Sequence, residues 1–233
     1  MLTTALALLL AHVLADYPLQ NSWIIANKKK PAAMAAHIGV VFLLTLIALG
    51  GEIMPALTIA ALHLCIDLIK THLAPDRLWA YIADQLAHFA TIAGVLWFWP
   101  ELGALWPDAT IWAQYLMAIT VGTILCVYAG GPAVGLLMQD FDTMPQQGLP
   151  EAGRMIGLLE RALIFLMVMA GQPGGIGFLI AAKSVLRFDT ASKDQKAGEY
   201  VIIGTLASFG WALLVSFATL SLITFYGLDP TPS

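Results

Sequence analysis

Apolar segments of about 20 residues, long enough to cross a bilayer, recur along the sequence and limit what it can fold into. In hydrocarbon every backbone N–H and C=O group needs a partner inside the protein, which favours α-helices. Of the 233 residues, 59% are hydrophobic and only 11% are charged, whereas a soluble domain has about a quarter of its residues charged. We therefore predict an all-α fold, a polytopic helical membrane bundle.

Eight segments are predicted to cross the membrane. They lie at residues 2–19, 32–50, 54–73, 78–99, 110–138, 153–171, 175–188 and 199–226. The seventh is short for a full crossing, so a re-entrant segment is the alternative there. In the fifth, Gly130-Gly131-Pro132 predicts a kink, because proline cannot donate to the helix ladder.

The lysines and arginines predict the direction of each crossing. Apart from Arg161, they lie in or beside alternate loops: Lys28 to Lys30, Lys70, Arg77, Arg154, Lys183, Arg187, Lys193 and Lys196. Basic loops remain in the cytoplasm, so an even number of crossings places both termini on the non-cytoplasmic side. We treat 1–233 as a single membrane domain, with a four-helix half at 1–100 and C-terminal helices at 110–226. The net charge of −4 offers no basic surface for nucleic acid.

Histidine and aspartate occur as three pairs within these apolar segments. The pairs are His12 and Asp16, His63 and Asp67, and Asp84 and His88. A spacing of four residues puts both side chains of a pair on one helix face, one turn apart. In the predicted topology every aspartate lies nearer the cytoplasm and every histidine lies deeper. One polar cavity that opens towards the cytoplasm explains this common depth.

The three pairs predict a metal site. Charged groups in hydrocarbon cost about 2.5–3.5 kcal/mol each and persist where they pair, bind an ion or line a wet cavity. Imidazole and carboxylate suit zinc, manganese or iron. Six such residues exceed the four of a structural zinc site and are enough for two adjacent metals. We predict all six as ligands of a divalent metal, zinc or manganese first. A proton or ion relay and a structural network without metal are the alternatives.

Further residues are assigned supporting or catalytic roles. Four are expected to orient the ligands without binding the metal: Gln20, His37, Gln85 and Glu160. Asp84 is also the candidate general base, and Arg161 and Lys183 are the candidates for neutralising a substrate phosphate. A buried ion pair is the alternative for Arg161, and contact with anionic lipid is the alternative for Lys183.

The depth of the site predicts a membrane lipid, or a lipid-linked phosphoester, as the substrate. Such a molecule can keep its tail in the bilayer while its head group reaches the cavity. The competing hypothesis is a transporter that passes a metal or protons through the same cavity. A through-path needs ionisable or hydroxyl groups in the outer half of the membrane, where the sequence has few, so we place hydrolysis first.

Several motifs resemble a known family. His12-Val-Leu-Ala-Asp16-Tyr-Pro-Leu-Gln20 and Asp84-Gln85-Leu-Ala-His88 resemble the N-terminal part of bacterial inner-membrane proteins known only as a domain of unknown function. Leu158-Leu-Glu160-Arg161 and the segment from Gly177 to Phe188 resemble the C-terminal part of its longer members. The pattern is similar, more loosely, to inner-membrane proteins described as metal-dependent hydrolases. The resemblance implies a bacterial inner-membrane location and supplies no substrate.

Overall fold

Helices dominate the structure, a computed structural model that describes residues 1–106, 109–141, 151–193 and 195–230. In these ranges it contains no β-strand, which confirms the all-α prediction. The side chains of residues 104, 186–193, 195 and 197, including those of Arg187 and Lys193, lie outside the description. The chain divides into two compact units, Met1–Ile124 with Tyr226–Ser233, and Leu125–Phe225. We call them the first and the second unit.

Where the structure describes it, the first unit has six α-helices and a short 3-10 helix. They are α1 (Leu2–Asp16), α2 (Ser22–Ala26), α3 (Pro31–Ala48), α4 (Ile53–His72), α5 (Leu78–Phe98), the 3-10 helix Pro100–Ala104 and α6 (Ile111–Ile124). The side chain of Asn21 caps α2 by accepting from the N–H of Ile24. Pro31 begins α3, where its missing N–H has no partner to lose. Gly50 and Gly51, with φ of 62° and 98°, reverse the chain between α3 and α4, a conformation in which only glycine is unstrained.

Polar and apolar groups occupy opposite ends of the first unit. α1 packs against α3, α5 and α6, and α4 packs against α3 and α5. The apolar core lies towards the Gly51 end and includes Leu8, Leu49, Ile59 and Ile92. The histidines and aspartates lie towards the other end, where α1 and α4 finish and α3 and α5 begin.

Two long-range hydrogen bonds close the apolar end of the first unit. The hydroxyl of Thr4 donates to the carbonyl of Leu102 at 2.7 Å, and the indole N–H of Trp106 donates to the carbonyl of Ala48 at 3.0 Å. Ala48 is the last residue of α3, and Leu102 lies in the 3-10 helix. Neither carbonyl has a regular α-helical partner. These bonds fix the beginning of α1 and the end of α3.

In its described residues the second unit begins with a π-helical turn, Leu125–Ala129, followed by four α-helices and a short 3-10 helix, Gln139–Phe141, after the first of them. The α-helices are α7 (Gly130–Met138), α8 (Ala152–Met169), α9 (Gly175–Lys193) and α10 (Gln195–Phe225). α10 contacts the other three helices. The seventh predicted segment corresponds to α9, which extends to Lys193 and is longer than the sequence indicates.

Two carbonyls of the π turn accept hydrogen bonds from side chains of other helices. The indole N–H of Trp211 donates to the carbonyl of Leu125 at 2.9 Å. The guanidinium of Arg161 donates to the carbonyl of Val127 through Nε at 3.1 Å and Nη2 at 2.8 Å. A π turn departs from regular i→i−4 bonding. The kink predicted at Gly130-Gly131-Pro132 stays a prediction, and a π turn ends directly before Gly130.

Four helices in the described residues are long and apolar enough to cross a membrane. They are Pro31–Ala48, Ile53–His72, Ile111–Phe141 and Gly198–Phe225. A helix corresponds to each of the eight predicted segments, but eight crossings are not confirmed. α1 has 15 residues, about 22 Å at 1.5 Å per residue, against a hydrocarbon thickness of about 30 Å. In α5 and α8, polar side chains such as Asp84, Gln85, Glu160 and Arg161 lower the hydropathy.

Gly130→Ala is expected to destabilise the second unit. An added Cβ would lie 2.7 Å from Cδ1 of Trp211 and 2.8 Å from Cδ of Arg161, and both side chains are held by the π turn. Overpacking of this kind costs about 1–3 kcal/mol. The midpoint of thermal unfolding in mild detergent should therefore fall.

The control is Gly135→Ala in the same helix, where an added Cβ meets nothing within 4 Å. Alanine favours the helix by about 1 kcal/mol relative to glycine, so this variant should be as stable as the wild type or more stable. Equal stability of the two variants would contradict the close packing of Arg161 and Trp211 around Gly130.

Candidate metal centre

The three predicted pairs meet at the polar end of the first unit, and α3 adds a fourth histidine. His12, His37, His63 and His88 are buried, each 6% exposed or less. The ring centroids of His63 and His88 are 4.0 Å apart, and those of His12 and His88 are 5.1 Å apart. The helices α1, α3, α4 and α5 therefore bring one cluster together.

Two histidine nitrogens in this cluster lie at similar distances from each other and from two carboxylate oxygens. Nε2 of His37 is 3.1 Å from Nε2 of His63, 3.3 Å from Oδ2 of Asp67 and 3.6 Å from Oδ1 of Asp16. Nε2 of His63 is 3.4 Å from Oδ1 of Asp16 and 3.7 Å from Oδ2 of Asp67. We call His37, His63, Asp16 and Asp67 the central set.

The spacing of the two imidazole nitrogens of the central set, from each other and from each carboxylate oxygen, fits ligands of one divalent ion. Zinc binds histidine nitrogen and carboxylate oxygen at about 2.0–2.2 Å, so the ligand atoms around a tetrahedral ion are about 3.3–3.6 Å apart. The measured separations, 3.1–3.7 Å, scatter around that range. His37, predicted to orient a ligand, lies in this set with its Nε2 facing the other three atoms.

Lys28 supports the central set in a way that the sequence did not reveal. Its ammonium donates to Oδ1 of Asp67 at 2.9 Å, which leaves Oδ2 facing the two histidines. The side chain of Asp67 is 2% exposed and that of Lys28 is 26% exposed. The run of three lysines predicted only topology. Its position directly before α3 was the one signal that a lysine could reach the site.

A hydrogen-bonded chain orients two of the carboxylates. Gln85 donates through Nε2 to Oδ2 of Asp84 at 3.2 Å and to Oδ2 of Asp16 at 3.4 Å. The hydroxyl of Tyr17 donates to Oε1 of Gln85 at 3.1 Å and lies 2.6 Å from the hydroxyl of Tyr81. Gln85 thus contacts two of the predicted ligands, and its orienting role stays a prediction; the two tyrosines were not predicted.

His12, His88 and Asp84 lie beside the central set. In the described residues three groups can hold a metal ion: Asp16, His37 and His63; His12, Asp16 and His88; and His63, Asp67 and His88. Asp84, predicted as a ligand, belongs to none of them. Its Oδ1 lies 4.0 Å from Nδ1 of His88 and is buried without a hydrogen-bond partner.

The remaining predicted residues have other neighbours. Nε2 of Gln20 lies 3.5 Å from Nε2 of His37, at the edge of the cluster. Glu160, Arg161 and Lys183 belong to the second unit. There Lys183 forms an ion pair with Glu160 at 2.7 Å, and Arg161 donates to Ser208 as well as to the π turn. Protein groups thus compensate the charges of Lys183 and Glu160, and the proposed contact with a phosphate stays a prediction.

A small cavity adjoins the histidines on the side away from the lysines. Its volume is about 10 Å³, close to the space that one water molecule needs. Its polar wall is formed by His12, His63 and His88, and the rest is formed by Leu8, Val41, Thr45, Ile59, Thr91 and Ile92. Ionisable groups in this cavity are therefore confined to its histidine wall.

The cluster and its helices coincide with the part of the chain that matches a known family. Residues 4–115 match the family described as proteins of unknown function, DUF3307. This result confirms the resemblance to a domain of unknown function, and the DUF3307 match contains every residue of the cluster. No curated protein and no solved structure matches the chain, so no named relative supports the looser similarity to hydrolases.

Lys28→Met is expected to destabilise the metal-free protein. The variant removes the ammonium partner of a carboxylate that is 2% exposed, and an unsatisfied buried partner costs about 1–3 kcal/mol. The thermal unfolding midpoint, measured with a chelator present, should fall below that of the wild type. Lys29→Met is the control, because Lys29 is exposed. Equal midpoints for the two variants would contradict the ion pair between Lys28 and Asp67.

Proposed function

We propose that the protein is an integral membrane hydrolase that uses a divalent metal held by the central set. The observation that carries this proposal is the close approach of two buried imidazole nitrogens to each other and to two carboxylate oxygens, at 3.1–3.7 Å. The proposed substrate is a lipid or lipid-linked phosphoester.

Unsatisfied hydrogen-bonding atoms favour a metal over a purely structural network. Oδ1 of Asp16 and Oδ2 of Asp67 are buried and have no hydrogen-bond partner. Both oxygens face Nε2 of His37 and Nε2 of His63. A structural network would pair the two oxygens with good geometry, because leaving them unpaired costs free energy. The two nitrogens lie within hydrogen-bond distance of each other, at 3.1 Å. One divalent cation would satisfy all four at once.

The ligand types restrict the choice of metal. Two imidazole nitrogens and two carboxylate oxygens suit zinc best and manganese next, whereas copper(I) and iron–sulfur sites favour sulfur ligands. In the described chain, Cys65 is exposed and Cys126 belongs to the second unit. We therefore propose zinc or manganese, as predicted from the sequence.

The chemistry proposed is addition of water across a phosphoester bond. A divalent ion at the central set would need a coordination position beyond the four protein ligands, as five-coordinate zinc or octahedral manganese provides. With that position it would polarise a phosphoryl oxygen or supply a nucleophilic water at neutral pH. Asp84, with a free Oδ1 beside His88, would accept the proton of the water and return it to the departing alcohol oxygen. Lys28, at the basic end of the site, would help to neutralise the phosphate.

The depth of the cluster supports a substrate that remains in the membrane. His12 lies four residues from the end of α1 and His88 ten residues from the start of α5, so the cluster lies about 6–15 Å inside the basic end. The outer faces of the same helices carry exposed apolar side chains, among them Ile69 at 57% and Leu86 at 59%. We propose that the basic end faces the cytoplasm of a bacterial inner membrane and that lipid head groups enter there.

The cavity beyond the histidines argues for hydrolysis over transport. Four of its six other lining residues are aliphatic, and the hydroxyl of Thr91 donates to the carbonyl of Ala87. Burial of an ion along such a path is costly. The polar groups of the first unit thus favour a site with access from one side.

Metal content is the first test of the proposal. Protein purified in mild detergent without chelator should contain zinc or manganese by elemental analysis, and His37→Ala and His63→Ala should lower the content several-fold. His72→Ala is the control, since this exposed histidine lies on α4 outside the cluster. Less than about a tenth of an equivalent in the wild type, unchanged after metal is offered, would overturn the proposed metal site.

Turnover is the second test. Metal-loaded protein, incubated with a panel of phospholipids and polyprenyl phosphates, should release a dephosphorylated or cleaved product detectable by mass spectrometry. Asp84→Asn should lower the rate by about 100-fold or more while the metal content is retained, because it removes the general base alone. A metal-loaded protein without turnover, together with metal-dependent flux in proteoliposomes, would replace the enzyme by a transporter.

A further inference from the structure

We infer that the cluster holds a second divalent ion, bound by His12 and His88 and joined to the first through the carboxylate of Asp16. This inference rests on the proposed function and deepens it, because the net charge of a two-metal site determines which substrate charge the site favours. The ligands would be two imidazole nitrogens and a carboxylate oxygen, in a group that shares Asp16 with the central set.

The tautomer of His88 leaves a lone pair directed into the cluster. Its Nδ1 lies 2.9 Å from the backbone carbonyl of Asp84, and a carbonyl oxygen only accepts, so Nδ1 carries the proton. In the neutral ring Nε2 then has a free lone pair. Nε2 is buried and has no hydrogen-bond partner. Metal-binding histidines typically donate a hydrogen bond through the ring nitrogen that does not bind the metal.

His12 presents a second unpaired nitrogen to the same space. Its Nε2 is buried without a hydrogen-bond partner and lies 3.9 Å from Oδ2 of Asp16. Two ligands at about 2.0–2.2 Å from one ion are at most about 4.2 Å apart, so one ion can bind both. The rings of His12 and His88 are stacked at an interplanar angle of 28°. The two histidines are therefore direct neighbours in the cluster.

Asp16 has one oxygen for each ion. Oδ1 faces Nε2 of His63 at 3.4 Å and Nε2 of His37 at 3.6 Å, whereas Oδ2 faces Nε2 of His12 at 3.9 Å. Gln85 also donates to Oδ2, at 3.4 Å, and so fixes the plane of the carboxylate. A carboxylate shared in this way joins two metals about 3.5–4 Å apart, the spacing of many phosphoester hydrolases.

The charge of a two-metal site specifies the substrate more narrowly. The cluster contains the carboxylates of Asp16, Asp67 and Asp84 and the ammonium of Lys28. With one divalent ion the net charge of the cluster is zero, so the cluster offers an anionic substrate little electrostatic attraction. With two, the site is doubly positive, which matches the dianion of a phosphate monoester. We therefore assign a lipid phosphate monoester as the preferred substrate class.

Manganese loading with electron paramagnetic resonance and elemental analysis tests the second ion without an activity assay. The wild type in detergent should bind about two equivalents and give the spectrum of an exchange-coupled pair. His12→Ala and His88→Ala should each retain about one equivalent with the signal of an isolated ion. His12→Gln, which preserves volume and polarity, guards against loss of fold, and size-exclusion chromatography checks each variant. His72→Ala should behave as the wild type.

The outcomes separate this inference from the proposed function. One equivalent with an uncoupled signal in the wild type would overturn the second ion and leave the first. Complete loss of metal in a folded His12→Gln variant would also overturn it, because His12 would then belong to the central site. No metal in the wild type would overturn both proposals. Equal turnover of phosphate monoesters and diesters by a two-metal protein would overturn the substrate assignment alone.

Discussion

The need to satisfy ionisable side chains inside an apolar helix bundle governs the first unit. Four buried histidines and the aspartates beside them have to find partners in a chain whose surroundings supply few. The local arrangement serves this need: Lys28 takes one oxygen of Asp67, and Gln85 holds Asp16 and Asp84. The nitrogen and oxygen atoms that remain unpaired face the interior of the cluster. Because the cluster has more lone pairs than hydrogen-bond donors, it attracts cations.

The second unit meets the same constraint in a different way. Its buried polar groups are paired with one another: Lys183 with Glu160, Arg161 with Ser208 and with the π turn. Gly130 and Gly157 leave room for the guanidinium, since a Cβ at Gly157 would lie 3.1 Å from Nη1 of Arg161. In the first unit, by contrast, atoms of His12, His88 and Asp84 have no such partners.

The sequence predicted the cluster because its information is local. A spacing of four residues determines a shared helix face, so the pairs on α1, α4 and α5 could be recognised without a structure. His37 lacks such a pair, and its position depends on how α3 packs. Lys28 reaches Asp67 across 39 residues of chain, and no periodicity marks a contact of that kind. The sequence predicted a kink at this place and no π turn, because proline and glycine indicate an irregularity and leave its type open.

The length of α1 has a consequence for access from the bilayer. This helix lies among α3, α5 and α6 and has 15 residues, so it is about 8 Å shorter than the hydrocarbon is thick. In the proposed orientation, a central helix of this length would set Asp16 below the head-group level of its leaflet. An amphiphile moving within that leaflet would then bring its head group to the site without leaving the membrane. Lateral diffusion, rather than extraction into water, would then deliver the substrate.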